Sequence, residues 1–151
     1  LIHNLKYRGH QEVGDLIGNW YGTELQNCDT LRTIDAIIPI PLHKRKFKKR
    51  GYNQVTAFGE TLSKQLNCPF EESILERIQY SKTQTFKNLL GRNEIKSHTF
   101  QAHFNDSHHN KHYLIIDDVI TTGATLEAAG KALLAIPGIK ISIVCMAMSQ
   151  S

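Results

Sequence analysis

Residues 112–125 read H-Y-L-I-I-D-D-V-I-T-T-G-A-T, and this stretch narrows the folds open to the chain more than any other. The wholly apolar run 113–116 suits a strand buried on both faces, as in a parallel sheet covered by helices. Asp117 and Asp118 follow where that strand is expected to end. Behind them comes a turn of small residues, Thr121, Thr122, Gly123, Ala124 and Thr125. From 126 to 136 the chain is rich in Ala and Leu without an interior proline, so a helix is expected there, stopped by Pro137 and Gly138.

A strand that feeds a Gly/Thr turn at the start of a helix gathers backbone N–H groups and hydroxyls on one point, which is the chemistry of a phosphate site. Gly123 lets the backbone approach the anion, and the helix N-terminus adds a favourable dipole. The two carboxylates would repel that phosphate. They are expected to accept from a sugar diol beside it, with Mg2+ tying diol and phosphates together. Two other readings stay open. An apolar strand ending in two acids also occurs in ATPase and receiver-type Mg2+ sites, and a Thr-Gly turn can be a simple helix cap. The ATPase reading needs a G-x-x-x-x-G-K-[ST] loop, and the sequence has none, whereas capping alone leaves the paired acids without a role.

The string L-I-I-D-D-V-I-T-T-G-A-T resembles the phosphoribosyl-pyrophosphate (PRPP) motif of type I phosphoribosyltransferases. The resemblance implies that Asp117 and Asp118 hold the ribose hydroxyls and act as the catalytic acids. It assigns the ribose 5-phosphate to Thr121, Thr122, Gly123, Ala124 and Thr125.

A chain of 151 residues makes one domain, able to bury roughly two-thirds of its unfolded surface. A 40% hydrophobic and 21% charged composition is that of a globular protein. No apolar run approaches the ~18 residues of a membrane span, and no secretory signal is visible. Cys28, Cys68 and Cys145 are widely spaced, which implies neither a zinc site nor a disulfide framework and suits a reducing cytoplasm. The chain begins at Leu1 without methionine, which suggests a fragment of something longer. Its net charge of +4 is local: six of the eighteen Lys and Arg fall in the run Lys44-Arg45-Lys46-Phe47-Lys48-Lys49-Arg50. That points to an anionic ligand at one place and away from a surface that coats nucleic acid throughout.

In chain order, Val13, Leu16, Ile17, Trp20 and Tyr21 have helical spacing, so a helix is expected over 12–25. Residues 34–40 read as a second buried strand, which the prolines on both sides of Ile40 turn out into the basic loop. Gly51 closes the loop. Val55, Phe58, Leu62 and Leu66 then mark an amphipathic helix over 52–66. Strand, basic loop and helix again form an anion-binding geometry, with a solvated basic face or a nucleic-acid patch as the alternatives. Residues 76–104 are polar, read as a loop or ribbon and then a short helix near 88–95, and are either a mobile flap or an ordinary surface excursion. His103, His108, His109 and His112 flank a hydrophilic turn over 105–111. They lack the Cys or Glu spacing of a metal site. Residues 139–147 form a last apolar strand, and a further strand is expected within 68–86.

Together these elements give an α/β fold, a central, mostly parallel sheet flanked by helices, with ligands at the carboxyl ends of the strands. The run P-I-P-L-H-K-R-K-F-K-K-R-G-Y-N-Q, the later Gln84, Leu89, Arg92 and Asn93, and the opening L-K-Y-R-G resemble the ComF/GntX branch of the phosphoribosyltransferases, the competence-associated proteins. That likeness spans nearly the whole chain. It implies a single phosphoribosyltransferase-like domain over 1–151 whose first thirty residues or so build the hood. The four-cysteine zinc module that many members carry at the N-terminus has no counterpart here.

The resemblance also implies pyrophosphate binding by Lys44, Arg45 and Arg50, and flap roles for Lys82, Gln84 and Arg92. Mg2+ would arrive with PRPP near Asp117 and Asp118 and not by direct protein ligation. The expected activity is transfer of the phosphoribosyl group to a nitrogen acceptor that the sequence does not name. A module that binds PRPP or a nucleotide without turnover, and serves DNA uptake by contacting competence proteins, is the second hypothesis. A third is single-stranded DNA binding through 44–50 with Phe47 or Tyr52 stacking. A homodimer is the oligomer left open, and the cytoplasm is the expected location.

Overall fold

Among the residues that the computed structural model describes, 11–42, 47–48, 51–78 and 99–149, helices and strands alternate along most of the chain. They are α1 (Gln11–Gln26), β1 (Ala36–Pro39), α2 (Thr56–Leu66), β2 (Leu75–Arg77), β3 (Phe100–Ala102), β4 (His112–Ile120), α3 (Ala124–Leu133) and β5 (Lys140–Met148). Short 3-10 turns cover Asp29–Leu31 and Asp106–His108. No helix among the described residues is long and apolar enough to cross a membrane.

The three expected strands form one parallel sheet in the order β1-β4-β5, with Ala36 opposite Tyr113 and Tyr113 opposite Ile141. β1 stops at Pro39, as proline dictates, and Ile40 N–H gives one last bond to the carbonyl of Ile116 at 2.9 Å. The strand expected within 68–86 is found as two pieces. Phe70 makes a single parallel bridge to Ile37, and β2 pairs antiparallel with β3 in a separate ribbon.

The central strand corrects an expectation. It does not end before the two acids but runs through both to Ile120, because β5 goes on pairing with it: Asp117 opposite Cys145, Val119 opposite Ala147 and Ile120 opposite Met148. Side chains along a strand alternate between faces. Tyr113 and Ile115 therefore pack with Leu126, Ala129 and Leu133 of α3. Leu114 and Ile116 pack on the other side with Phe58 and Leu62 of α2 and Ile17 of α1. Leu114, Ile115 and Ile116 are fully buried, each contributing roughly 1.5–3 kcal/mol.

α1 occupies 11–26, close to expectation, and a line of glycines faces α2 beside the apolar Ile17 and Tyr21, which pack on Phe58. Gly14, Gly18 and Gly22 lie against Ala57, Thr61 and Gln65, so near that a Cβ on Gly18 would sit 2.8 Å from that of Thr61. Mid-helix glycine costs roughly 0.5–1 kcal/mol per residue. Close backbone approach offsets it, reinforced by Thr61 Oγ1 donating to Asp15 Oδ1 at 2.8 Å and Gln65 Nε2 to Asn19 Oδ1 at 3.0 Å. Leu16 and Trp20 are left exposed.

α3 starts two residues earlier than the expected 126 and closes at Leu133. There Leu134 and Ile136 fold into a tighter turn, Ile136 N–H donating to the carbonyl of Leu133 at 2.9 Å ahead of Pro137. The four histidines find separate partners. His103 Nε2 lies 2.9 Å from Glu76 Oε2, His108 Nδ1 accepts from Asn105 N–H at 3.0 Å, and His109 lies 3.8 Å from Asp106. His112 is not part of the turn at all. It opens β4, buried, with its ring between the hydroxyls of Thr33 and Ser142, each at 2.9 Å.

Candidate functional site

The carboxyl end of β4, the 121–125 turn and the N-terminus of α3 meet at one place. Asp117, Thr121, Gly123, Ala124 and Thr125 line a single small cavity there. Gly123 takes φ +76°, the left-handed region where a side chain is strained, and among the described residues a Cβ on it would meet no heavy atom within 4 Å. The turn is therefore open on the side that a ligand would fill, and α3 starts directly behind it, with Glu127 N–H donating to Gly123 O at 2.9 Å. Thr121 and Thr125 border the open space, while Thr122 is exposed and its Oγ1 accepts from Ala124 N–H at 3.4 Å.

The two acids are not equivalent. Asp117 is half-buried and lies on the α3 face with Tyr113 and Ile115. Its Oδ1 accepts from the backbone N–H of Asp118 at 2.8 Å. Asp118 lies on the opposite face and is only 7% exposed. Its Oδ1 accepts from Val119 N–H and its Oδ2 from Gln54 Nε2, both at 2.7 Å. Gln54, itself buried, stands just before α2. Opposite Asp117 on β5, the Cys145 thiol is pushed up to about 11, first by burial and then by that carboxylate, so it is neutral at physiological pH.

A second strand-to-helix turn leads from β1 toward α2. It ends at Gly51, again in the left-handed region at φ +78°, and Asn53 Nδ2 donates back to the carbonyl of Ile40 at 3.1 Å. Phe47, Tyr52, Gln54, Glu60 and Glu72 line a larger cavity beside it. The residues expected to hold pyrophosphate, Lys44, Arg45 and Arg50, lie outside the described residues, as do the flap candidates Lys82, Gln84 and Arg92. The structure thus brings Asp117 together with Thr121, Gly123, Ala124 and Thr125, and sets Asp118 apart against Gln54. Among the described residues no group of three or more His, Cys, Asp or Glu side chains is arranged to hold a metal ion.

Comparison with known proteins settles the family. A model described as a phosphoribosyl transferase domain matches residues 56–150, most of the chain. The chain belongs to that family. Within the family its relatives are ComF-type phosphoribosyltransferase-like proteins. It is 27% identical over 149 residues to the DNA utilization protein YhgH of Escherichia coli O157:H7, covering 97% of this chain and 65% of the relative. It is 33% identical over 104 residues to competence protein F of Haemophilus influenzae, covering 68% of this chain and 45% of the relative. Competence protein ComFC of Bacillus subtilis is 32% identical over 133 residues, covering 88% of this chain and 52% of the relative. The chain thus spans between about half and two-thirds of the length of these curated relatives. Among solved structures, adenine phosphoribosyltransferase from Trypanosoma brucei has a TM-score of 0.52 at 19% identity, covering 96% of this chain and 55% of that one. At that identity the likeness concerns the fold alone, and the fold is that of the type I phosphoribosyltransferases.

Proposed function

We propose that this chain binds PRPP and transfers its phosphoribosyl group to a nitrogen acceptor. The observation that carries the reading is the cavity in which Asp117 faces a left-handed glycine turn at the head of α3. Backbone N–H groups and threonine hydroxyls of 121–125 take the 5-phosphate, and Asp117 accepts from the ribose diol beside it. Lys44, Arg45 and Arg50 neutralise the pyrophosphate, while Lys82, Gln84 and Arg92 cover it. Two neighbouring carboxylates are too few for an all-protein Mg2+ cage, which fits an ion that arrives with PRPP and is held by substrate oxygens and water. Mg2+ bound near Asp117 and Asp118 would supply charge neutralisation for the leaving pyrophosphate.

In the reaction the acceptor nitrogen forms a bond to C1 as the bond from C1 to the pyrophosphate oxygen breaks. Pyrophosphate leaves with that electron pair, and the acceptor's proton passes to solvent. No side-chain nucleophile is required. The protein's share is to position the reactants and to balance developing charge. The relatives named for competence and DNA utilization support a role linked to DNA uptake, and the cytoplasm is the location we propose for it. They also favour a second reading, in which the 44–50 run contacts single-stranded DNA or a protein partner and PRPP is bound without turnover. Calorimetric titration of PRPP with and without Mg2+, followed by a screen of bases and amines for pyrophosphate release, tests both. Release with any acceptor is the expected result. Tight binding without release favours the silent module, and no binding of PRPP removes the first reading.

A further inference from the structure

We infer that the outer edge of β5 and the free flank of α1 together form a docking surface for a second copy of this chain, paired strand to strand about a two-fold axis. The surface uses no residue of the 121–125 turn, so it stands apart from the phosphoribosyl reading. β5 closes one side of the sheet, and among the described residues nothing pairs with its far side. Lys140 N–H donates to the carbonyl of Lys111 at 2.8 Å, which turns it toward β4. Peptide groups alternate sides along a strand, so those of Ile141, Ile143 and Cys145 point outward, away from β4. From Ile141 to Met148 the strand carries no charge and no proline. Its pairing keeps one offset from His112–Lys140 to Ile120–Met148, so no extra residue bends it. Charge, proline and bulges are the devices that blunt an exposed edge. Here none is present, and Ile143 and Met148 are 50% and 76% exposed.

The helices set a second apolar surface over the same edge. α2 turns Gly59 toward Phe70, which bridges to Ile37 beyond β1, and turns Ala57, Thr61 and Gln65 toward the glycines of α1. α1 therefore lies on the side of α2 away from Phe70, over β4 and β5, with Ile17 in one cluster with Val144 and Met146. Two residues on from a contact glycine is about 200° round a helix. Leu16 and Trp20, two residues after Gly14 and Gly18, thus stand on the flank opposite α2 and reach past β5, at 65% and 68% exposure.

A second copy supplies what this surface lacks, a strand for the edge and an apolar helix flank above it, in one body. A two-fold axis perpendicular to the sheet sets β5 antiparallel to its copy and keeps both α1 helices on one face, so the two Leu16 and Trp20 flanks close over the joined strands. Lys140 is the only charged residue of β5, and antiparallel pairing carries the two lysines to opposite ends, so no like charges meet on the strands. The nine residues of β5 and the outward half of α1 come near the lower end of the roughly 20–30 residues a side of a stable interface. Glu12 and Glu24 bracket the apolar pair one turn out on α1 and oppose each other across the axis. That repulsion weakens the pair, and salt should relieve it.

Sedimentation velocity of the whole chain across a dilution series, without ligand, tests the inference. The parent is expected to pass from one chain to two as its concentration rises, and to do so earlier in added salt. Ile143→Pro removes an outward N–H and no bond to β4, and Trp20→Glu puts a charge on the helix flank. Each should hold the chain monomeric throughout the series, with a melting temperature in dilute solution close to the parent's. Leu134→Lys, at an exposed position on the α3 side, should pair as the parent does. Hydrogen exchange at the amides of Ile143 and Cys145 should slow as the parent is concentrated, while that of Val144 is slow at every concentration. If Ile143→Pro does not fold, Trp20→Glu decides alone. A parent that stays monomeric at every concentration overturns the inference and leaves the edge to a strand of another protein. A pair that survives Trp20→Glu in a folded chain overturns it as well, since the contact would then lie elsewhere.

Discussion

Gly51 and Gly123 hold nearly the same backbone angle, each behind a strand of the same parallel sheet and ahead of a helix, and at each no described residue fills the space where a side chain would begin. Their successors differ. After Gly123 come Ala124 and Thr125 at the mouth of a cavity, and the helix starts at once. After Gly51 come Tyr52, Asn53 and Gln54, and the last two turn their side chains inward to Ile40 and Asp118 before α2 begins. A glycine that frees the backbone is common to both, so it does not by itself make a ligand site. The next few side chains decide whether the turn presents itself outward as a cradle or inward as a brace.

The contrast is sharpest where the brace side is most closely packed. Gly59, on α2, would place a Cβ against the ring of Phe70 and 2.6 Å from Ile116 Cδ1. Gly59→Ala should therefore destabilise by about 3 kcal/mol, near the top of the usual range for overpacking, and chemical denaturation measures it. A loss below a few tenths of a kcal/mol would show that Phe70 swings aside freely and that this side is not tightly packed. On the cradle side, Asp117→Asn keeps an oxygen for Asp118 N–H. It is expected to leave the fold intact and to cost about 1.5–3 kcal/mol of PRPP binding, or on the order of tenfold to a hundredfold by calorimetry.

Comparing Gly51→Ala with Gly123→Ala tests the parallel directly. Each forces a side chain into the left-handed region and should lower stability by about 1–2 kcal/mol. Only Gly123→Ala should also abolish the thermal shift produced by ribose 5-phosphate. Equal loss of that shift in both would erase the distinction between cradle and brace.

The smallest effect lies at the far end of the sheet, where neither turn reaches. Asp35 accepts from His112 N–H at 2.8 Å and from Lys111 at 3.2 Å. The backbone bond chiefly, and then Lys111, hold its carboxyl below its ordinary value against the opposing effect of burial. A depressed folded-state value means that the stabilisation is complete at neutral pH. It is lost as pH falls through that value, below the ordinary 3.8. Melting curves should therefore show Asp35→Asn losing a small part of its stability relative to the parent at neutral pH and closing the gap in acid, with ribose 5-phosphate binding untouched at neutral pH.

The cradle is legible in the sequence because its signal is local: an apolar run, two acids and a glycine turn within fourteen residues of chain. The three parallel strands are legible for the same reason, since each is a short apolar stretch between breakers. The end of β4 is not, because the two acids look like a boundary although Val119 and Ile120 continue the apolar pattern beyond them. Two polar residues do not stop a strand whose neighbour goes on pairing. The glycine line of α1 is also present in the sequence, at positions 14, 18 and 22, but the apolar spacing of Leu16 and Trp20 is the louder signal. Gln54 is different in kind. Nothing near it in sequence says that its amide will meet a carboxylate on β4, because only the packing of α2 on the sheet brings them together. The same holds for His112, whose two hydroxyl partners come from Thr33 and Ser142.

The position of β4 between its neighbours has a consequence for how the chain assembles. On one side it pairs with β5, reached through α3 alone, and on the other with β1, whose Ala36 must find Tyr113 across about half of the chain. Closing the shorter loop costs less entropy and is faster. The C-terminal half can therefore form its β–α–β unit first, and β1 joins as the late arrival that completes the floor beneath both turns. During synthesis the order of emergence is the reverse, so β1 leaves the ribosome long before its partner exists. Pulse-labelled hydrogen exchange should show the amides of β5 protected ahead of those of β1, and the nascent segment 36–40 is the piece of this fold that waits longest with its apolar surface uncovered.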